Sequence, residues 1–600
     1  MTYKSPVDDY RFNIHHMGLL EKLNKIPQYA EISQDIVDSV LDENVRIVEN
    51  TIAPLNREGD LKGAQWQDGV VKSSPGFKEA YKTYVEGGWQ GLAHDEKYGG
   101  QNFPQTINNA TLENLNSANL SLSLCPLLTN GALFAIHEAG SQALKDTYIR
   151  KMVEGTWTGT MNLTEPQAGS DLALLKTKAI KQEDGTYRIT GQKIFITWGE
   201  HDMTENIVHL VLARTPDAPE GVKGISLFVV PKFLVNEDGS LGKRNDVYCA
   251  SLEHKLGIHA SPTAVMMYGD NKGEVGAGAI GYLVGEENAG LKYMFIMMNE
   301  ARFSVGVQGI GISERAMQQA FAYAQERLQG NTIDGSEGRK TVAINRHPDV
   351  QRMLLTMKSQ VQGARSLAFY CAYCHDMARA AEDEETRKHY QSLSEYLVPI
   401  VKGFSTEMSM ELTNLAIQVH GGMGFIEETG VAQHMRDARI LSIYEGTTAI
   451  QANDLLGRKT YKDMGAACQA IGGQVQKTLQ ALEAEGSDTF KFIAARLQKS
   501  LKNYADTVMY LMQQGQARHL NEAFMGSVPY LMLSGYLFVG WKLAQSALVA
   551  NKLDNKAYHE KIALAQFYAA HILPRTAALG QSVLAGEQAV QSATEVDFSV

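Results

Sequence analysis

The chain has 600 residues, which allows about three to five domains. With 44% hydrophobic and 20% charged residues and only 15 prolines, it is neither disordered nor fibrous. Its 56 Lys and Arg against 67 Asp and Glu give a net charge of −11. That average field repels nucleic-acid backbones and anionic lipid, so any anionic ligand must be held by local cations. Five cysteines (Cys125, Cys249, Cys371, Cys374, Cys468) form no disulfide framework in so long a chain and point to a reducing compartment, the cytoplasm.

The first ten residues lack the apolar core of a secretory signal, and Asp8 and Asp9 come too early for a transit peptide. Residues 1–37 read as an N-terminal extension. Apolar residues three and four apart, broken by Gly/Pro-rich loops such as Tyr98 to Pro104, predict an N-terminal helical domain over 38–158. The texture then changes: β-rich runs at Lys176 to Gln182, Tyr187 to Thr197, Ile207 to Arg214 and Ile225 to Val230 predict a β-domain over 159–280, with a turn at Glu183 to Thr186. Helical periodicity returns at Leu291 to Gln329, Pro348 to Met377 and Arg387 to Val419, giving a helical bundle over 281–460. A further helical block over 461–600 has enough apolar residues for its own core. The most apolar stretch, Val528 to Trp541, is shorter than the roughly 18 residues a membrane span needs and reads as a buried helix. The fold class is α+β, multidomain, in the order α, β, α, α.

Some motifs point away from function. Gly276 to Gly281 matches GxGxxG, but no buried strand precedes it and another glycine, Gly285, follows, so a dinucleotide-binding turn is not expected. Cys371 and Cys374 have redox spacing but sit in a helical run of Ala, Leu, Phe and Tyr, where buried thiols are packing. The histidines, His15 and His16 included, lack zinc-site spacing, so no metal is expected, and no G-x-S-x-G turn appears.

The chemistry-bearing clusters are three. Met161 to Leu172, at the junction into the β-rich region, offers small residues and hydroxyls through which backbone can approach a flat polar ligand. Lys193 to Gly199 places an aromatic and a hydroxyl on a strand. Far downstream, Gln418 to Phe425, Met435 to Arg439 and Ile443 to Thr447 supply a glycine-rich turn, a basic pair and a carboxylate between Tyr444 and Gly446.

This ordered set, with Trp89 to Leu92 and Tyr98 to Gln101, resembles the acyl-CoA dehydrogenase family over about Trp89 to Lys459. The extended N-terminus, the Glu253 to Thr263 segment and the tail with Phe567 and Leu573 are most similar to its long bacterial branch, which includes broad-specificity fatty acyl-CoA dehydrogenases and 3-methylthiopropanoyl-CoA dehydrogenases. The resemblance implies a four-helix C-terminal bundle and an FAD between it and the β-domain. It implies α,β-dehydrogenation of acyl-CoA thioesters to trans-2-enoyl-CoA, with electrons passed to an electron-transfer flavoprotein. Glu445 matches the family's base, which takes the α-proton while a β-hydride goes to the flavin. A carboxylate held in a site with little water has the raised pKa this task needs. Gly446 keeps that loop close to the ligand. In some relatives the base stands instead just before an arginine on an earlier helix; that place is Ala301 here, and Glu300, one residue off, points elsewhere by about 100° of helical rotation.

By the same resemblance Leu163, Thr164, Gly169 and Ser170 contact flavin or thioester, Thr197 lies near the flavin and Phe195 packs on its ring, where better-known short- and medium-chain members have tryptophan. Arg327 reaches the pyrophosphate of a neighbouring subunit's FAD, with Gln418 and Gly422 at the same cofactor. Thr447 fits a flavin-contacting threonine, whereas the glutamine often found two places later is Ala449. Ser170, Arg302, Tyr444 and Gly446 line the substrate. Cofactors shared between subunits imply an oligomer, and an added C-terminal domain covering the surface that tetramers bury implies a homodimer. Met294, Met297 and Met298 read as core sooner than as an acyl tunnel. The alternatives are an acyl-CoA oxidase with the same base, a non-catalytic nucleic-acid-binding relative, which the charge of −11 disfavours, and a nitroalkane oxidase, which Glu445 disfavours because that base is aspartate.

Overall fold

The computed structural model describes residues 2–599. β-Branched and aromatic runs become strands wherever turn chemistry separates them. Numbering the main elements in chain order, these are β1 (Trp157–Asn162), β2 (Lys178–Lys181), β3 (Tyr187–Thr197), β4 (Asn206–Ala213), β5 (Ser226–Pro231), β6 (Val247–Leu252), β7 (Thr263–Tyr268) and β8 (Ala279–Leu283). They form one sheet in the order β6-β7-β3-β8-β5-β4-β1, with β2 beside β3; only the β1–β4 pair is parallel. The β2–β3 turn is an Asp-Gly turn: the Asp184 carboxylate accepts from the Thr186 amide and hydroxyl at 2.9 and 2.7 Å. The string Gly276 to Gly281 runs into β8, and the next helix does not begin until Gly290, so this is strand-entry geometry rather than a strand-to-helix phosphate turn.

The long helices are α1 (Gln105–Ala118), α2 (Leu120–Ala139), α3 (Gly290–Glu326), α4 (Pro348–Ala380) and α5 (Glu384–His420). Pairing of α3 with α5 depends on small residues: a Cβ on Gly309 would stand 2.6 Å from the Ser405 carbonyl, and one on Gly306 would stand 2.7 Å from Val401. Cys371 and Cys374 lie inside α4, free and buried, as packing residues. Met294 and Met297 are wholly buried in the core that α2 and α3 share with the sheet.

One helix among the described residues, α2, is long and apolar enough to cross a membrane, and 89% of the relevant window is buried inside the protein. It, rather than Val528 to Trp541, is the most apolar helix; Ser121, Ser123, Pro126 and Thr129 interrupt the run in sequence. In the fold Ser123 and Thr129 donate back to the carbonyls of Leu120 and Cys125 at 2.8 and 2.9 Å, leaving an apolar outside.

After α6 (Thr448–Asp454) come α7 (Ala466–Glu485), α8 (Asp488–Ala517), α9 (Ser527–Lys552), α10 (Glu560–His571) and α11 (Arg575–Leu584). Helix α9 lies against both α4 and α5 and carries buried Trp541 into the seam. The N-terminal residues also join this core: Tyr10, Ile14, Leu19, Leu20 and Leu23 are buried in it, in short helical pieces at Val7–Arg11, Phe12–His16 and Leu19–Leu23.

A buried ion network joins these parts. Arg365 of α4, 1% exposed, donates to Glu113 of α1 at 2.8 Å, Glu314 of α3 at 2.7 Å and Asp9 at 2.5 Å. Asp9 also accepts from Lys561 of α10 at 2.5 Å. Removing one partner of a buried ion pair costs about 3–5 kcal/mol, because the others stay buried without compensation. Arg365→Met is therefore expected to lower the chemical-denaturation midpoint by an amount corresponding to about 3–5 kcal/mol. Replacement of an exposed arginine such as Arg46 serves as the control and leaves the midpoint in place.

Candidate active site

Glu445 sits on the short segment between the turn Arg439–Ser442 and α6. Its φ is +53° and that of Gly446 is +89°. Such left-handed backbone costs a non-glycine residue roughly 1–3 kcal/mol and persists only where the surroundings impose it. Here they do. Lys402 of α5 donates to the Gly446 carbonyl at 2.6 Å, and Gln451 Nε2 donates to the carbonyls of Glu445 and Gly446 at 3.1 and 3.2 Å. Thr447 caps α6, accepting from the Ile450 amide at 3.3 Å, while Thr448 donates to Glu407 at 2.5 Å. Tyr444 donates to Gln308 of α3 at 2.5 Å. A Cβ on Gly446 would stand 2.7 Å from Gln451 Nε2, so this close wrap admits no larger residue.

The carboxylate itself is free: Glu445 Oε2 is buried and has no hydrogen-bond partner. Burial pushes its pKa up to about 7, against the opposing pull of Arg302 and Lys402. Arg302 of α3 is 4% exposed and pairs with Asp454 at 3.4 Å, while its Nε finds no partner. Ala301 is buried and offers no chemistry. Glu300 faces a different space, a cavity of about 390 Å³ lined also by His375, Arg379, Asp454 and Lys459.

A second group of residues lies on the sheet. The loop after β1 carries Leu163, Thr164, Gly169 and Ser170 and is tied to β3 by a buried pair: Lys193, fully buried, donates to Glu165 at 2.8 Å and to the Leu163 carbonyl at 3.0 Å. Burial raises the Glu165 carboxyl, but Lys193 and hydrogen bonds from Thr177 and Lys176 outweigh it and hold it below the usual range. Phe195 has φ +60° and lies where the β3–β7 register shifts; it is 56% exposed, an aromatic face left open two residues before Thr197 on the same strand. Nothing stands within 4 Å of a Cβ placed on Gly169. An uncovered aromatic, hydroxyls at Thr164, Ser170 and Thr197, and open backbone at Gly169 suit a flat, polar-edged ring system.

The third group is remote. Arg327 caps the end of α3, and Gln418 and Gly422 stand exposed where α5 ends, with Tyr323 stacked on His420 at 4.3 Å between the two helices. Arg327 lies 25 residues beyond Arg302, about 37 Å along the helix at 1.5 Å per residue. The residues expected at FAD thus fall into three places: one cluster on the sheet, one at the far end of the bundle, and Thr447 beside Glu445.

Lys402, Gln451, Gln308 and Asp454 belong to the site without standing in any of the motifs. Lys402 left a signal, a lone cation inside the apolar run Val401 to Phe404, and Gln451 and Asp454 lie six and nine residues past Glu445 on the next helix.

A central sheet flanked by helical domains, with a glutamate on strained backbone whose Oε2 is buried and unpaired, defines a flavin-type dehydrogenase scaffold. Four family models match in succession: the acyl-CoA dehydrogenase N-terminal domain at 38–156, middle domain at 160–270, C-terminal domain at 288–459, and an acetyl-CoA dehydrogenase C-terminal-like region at 471–593. A 3-methylmercaptopropionyl-CoA dehydrogenase of Ruegeria pomeroyi is 50% identical over 578 residues, 96% of each chain. The broad-specificity linear acyl-CoA dehydrogenase FadE5 of Mycobacterium tuberculosis is 34% identical, over 95% of this chain and 96% of its own. Among solved structures, Caenorhabditis elegans ACDH-11 in complex with C11-CoA superposes with TM-score 0.76 at 19% identity, covering 100% of this chain and 96% of its own, a likeness of fold. The chain belongs to the acyl-CoA dehydrogenase family. That family depends on FAD.

Glu165→Gln would leave the Lys193 ammonium buried without its counter-charge and loosen the loop before Ser170. The expected outcome is at least a tenfold weaker retention of FAD, measured by flavin fluorescence after gel filtration. Unchanged flavin content would show that the loop does not serve the cofactor.

Proposed function

We propose that the protein oxidises acyl-CoA thioesters to trans-2-enoyl-CoA with Glu445 as the base. The single observation that carries the assignment is Glu445 itself, a carboxylate on strained backbone with one buried, unpaired oxygen and a pKa pushed up to about 7. FAD, when bound, supplies the acceptor for the hydride lost from Cβ.

This chain's residues do the rest. A thioester α-proton is weakly acidic, so its abstraction needs a base whose pKa lies near working pH and a site that excludes water. Glu445 Oε2 takes that proton. Lys402 and Gln451 hold the two carbonyls of the loop, so the carboxylate keeps its aim as it changes charge. Tyr444 and Arg302 line the same pocket, and Gly446 allows close approach. Leu163, Thr164, Gly169, Ser170, Phe195, Thr197 and Thr447 hold the isoalloxazine side of FAD. Arg327, Gln418 and Gly422 serve the pyrophosphate end of a cofactor in a second copy. The spacing along α3 supports that division and a homodimer with it.

Identity of 50% along the whole length to a 3-methylmercaptopropionyl-CoA dehydrogenase supports a short thioether acyl chain as the leading substrate, with short straight-chain acyl-CoA as its nearest competitor. An electron-transfer flavoprotein takes the electrons in this reading. Five buried thiols, free of disulfides among the described residues, support a bacterial cytoplasm.

Two measurements test this. In anaerobic stopped flow with 3-methylthiopropanoyl-CoA and a saturated panel from C4 to C12, the flavin bleaches fastest with the short members; preference for C12 would overturn the substrate reading. Glu445→Gln bleaches about 10² to 10⁴-fold more slowly. In the wild type kcat/KM falls as pH drops below about 7, because the protonated carboxyl is no base. A flat acid limb or a fully active Gln variant would remove Glu445 from the role.

A further inference from the structure

Five polar atoms around the base are buried without a hydrogen-bond partner: Glu445 Oε2, Arg302 Nε, Asp454 Oδ1, Gln308 Nε2 and Gln451 Oε1. Two of them belong to groups of opposite charge that act on one another, Glu445 and Arg302, yet they form no hydrogen bond. A guanidinium free to move would close on a buried carboxylate in a bidentate pair, since that is the strongest contact open to either. Here it bonds Asp454 instead, Nη1 to Oδ2 3.4 Å.

We infer that Asp454 is a positioning residue that keeps Arg302 from pairing with Glu445 and so leaves the base free to take a proton. The inference rests on Glu445 being the base. Asp454 stands at the last turn of α6, nine residues past Glu445, with its side chain 11% exposed. Its backbone is fixed by the same helix whose Gln451 holds the Glu445 carbonyl, so base and counter-charge move as one unit.

Charge counting gives the reason. The buried groups facing Glu445 are Arg302 from α3 and Lys402 from α5, with the Tyr444 phenol on its own loop. Those facing Asp454 are Arg302 and, from the rim, Arg458 at 3.7 Å. Glu407 lies beyond Lys402 and binds Thr448. The Lys459–Glu395 pair at 2.6 Å closes the outer side, and Glu300, His375 and Arg379 line the cavity behind Asp454. The inner four, Arg302, Lys402, Glu445 and Asp454, sum to zero before reaction. When Glu445 takes the α-proton the sum becomes +1. Without Asp454 it would start at +1 and reach +2 in a low-dielectric site, and Arg302 would be free to neutralise Glu445 directly. An adjacent guanidinium lowers a carboxyl pKa by about 1–3 units. The base would then ionise more readily but bind a proton less well, which slows abstraction from a weak carbon acid.

The test compares wild type, Asp454→Asn, Asp454→Glu and Glu445→Gln, each as FAD-loaded full-length protein, by anaerobic bleaching with butyryl-CoA from pH 5 to 9. Asp454→Asn is expected to move the acid limb down by about one unit or more and to lower the plateau rate about tenfold, with unchanged flavin content. Asp454→Glu keeps the charge and is expected to restore the limb and most of the rate. A slower Asp454→Asn with its acid limb unmoved, or a limb moved upward, would overturn the inference and leave Asp454 a packing residue. If Asp454→Asn loses FAD, Asp454→Glu and the double variant Arg302→Met/Asp454→Asn carry the test. In the double variant the downward shift must vanish; its survival would overturn the inference. A fully active Glu445→Gln would instead mean that the base assignment had failed, which is a separate result.

Discussion

Arg365 is the constraint on which the rest of the molecule is built. Its guanidinium is wholly buried and can be satisfied only if Asp9, Glu113 and Glu314 arrive together, so it requires the N-terminal segment, α1, α3 and α4 to adopt one arrangement. Asp9 then has a second oxygen to place and gives it to Lys561, which brings α10 of the last domain into the same network. A buried ionic cluster of this kind adds little net stability over a well-packed apolar one, but it leaves every wrong assembly with an uncompensated charge. Burial pushes Glu113 up to about 7 even against the pull of Arg365, which measures how dry the place is.

Helix α3 carries that constraint to the chemistry. Glu314 anchors it to Arg365; the Gly306 and Gly309 contacts bring α5 against it; and Arg302, one to two turns earlier, acts on Glu445. Close α3–α5 packing has a direct effect at the site. It sets Lys402 of α5 within 2.6 Å of the Gly446 carbonyl and so fixes a backbone conformation that Glu445 would not choose alone. The strain at Glu445 is thus supported by helix packing, and the rigidity of that packing keeps the carboxylate aimed without hydrogen bonds of its own.

Much of the architecture was legible because it obeys local rules. Long helical periodicity marked α3, α4 and α5 to within a few residues, and the Asp-Gly turn marked the β2–β3 hairpin. The N-terminal segment was not legible as core: Tyr10, Ile14 and Leu19 are too few to show a period, and what makes them core is the surface of α3 and α4, hundreds of residues away. Helix α2 was under-read for the opposite reason, since hydroxyls that look polar in sequence are turned back onto their own backbone. At the site, the motifs named Glu445 and the loop before Ser170 because those segments are contiguous. Lys402, 44 residues before Gly446, and Gln308, 136 before Tyr444, act through contacts that no local pattern encodes. Gln451, six residues past Glu445, is near in sequence, but its hold on the loop depends on a helix start that the motif does not mark.

The net charge of −11 takes on a different meaning in this light. An acidic protein that must bind a polyanionic thioester cannot rely on its average field, and the cations nearest the base, Arg302 and Lys402, are both buried rather than offered to solvent. Buried cations beside a carboxylate proposed as the base are a hazard, because either can neutralise it. Each is engaged elsewhere: Lys402 on a backbone carbonyl and Arg302 on Asp454. What reaches Glu445 from both is field without a bond. That field checks the effect of burial, which alone would raise the carboxyl further and leave it protonated at neutral pH, and the balance settles near 7, where a base is half ready and still able to hold the proton it takes.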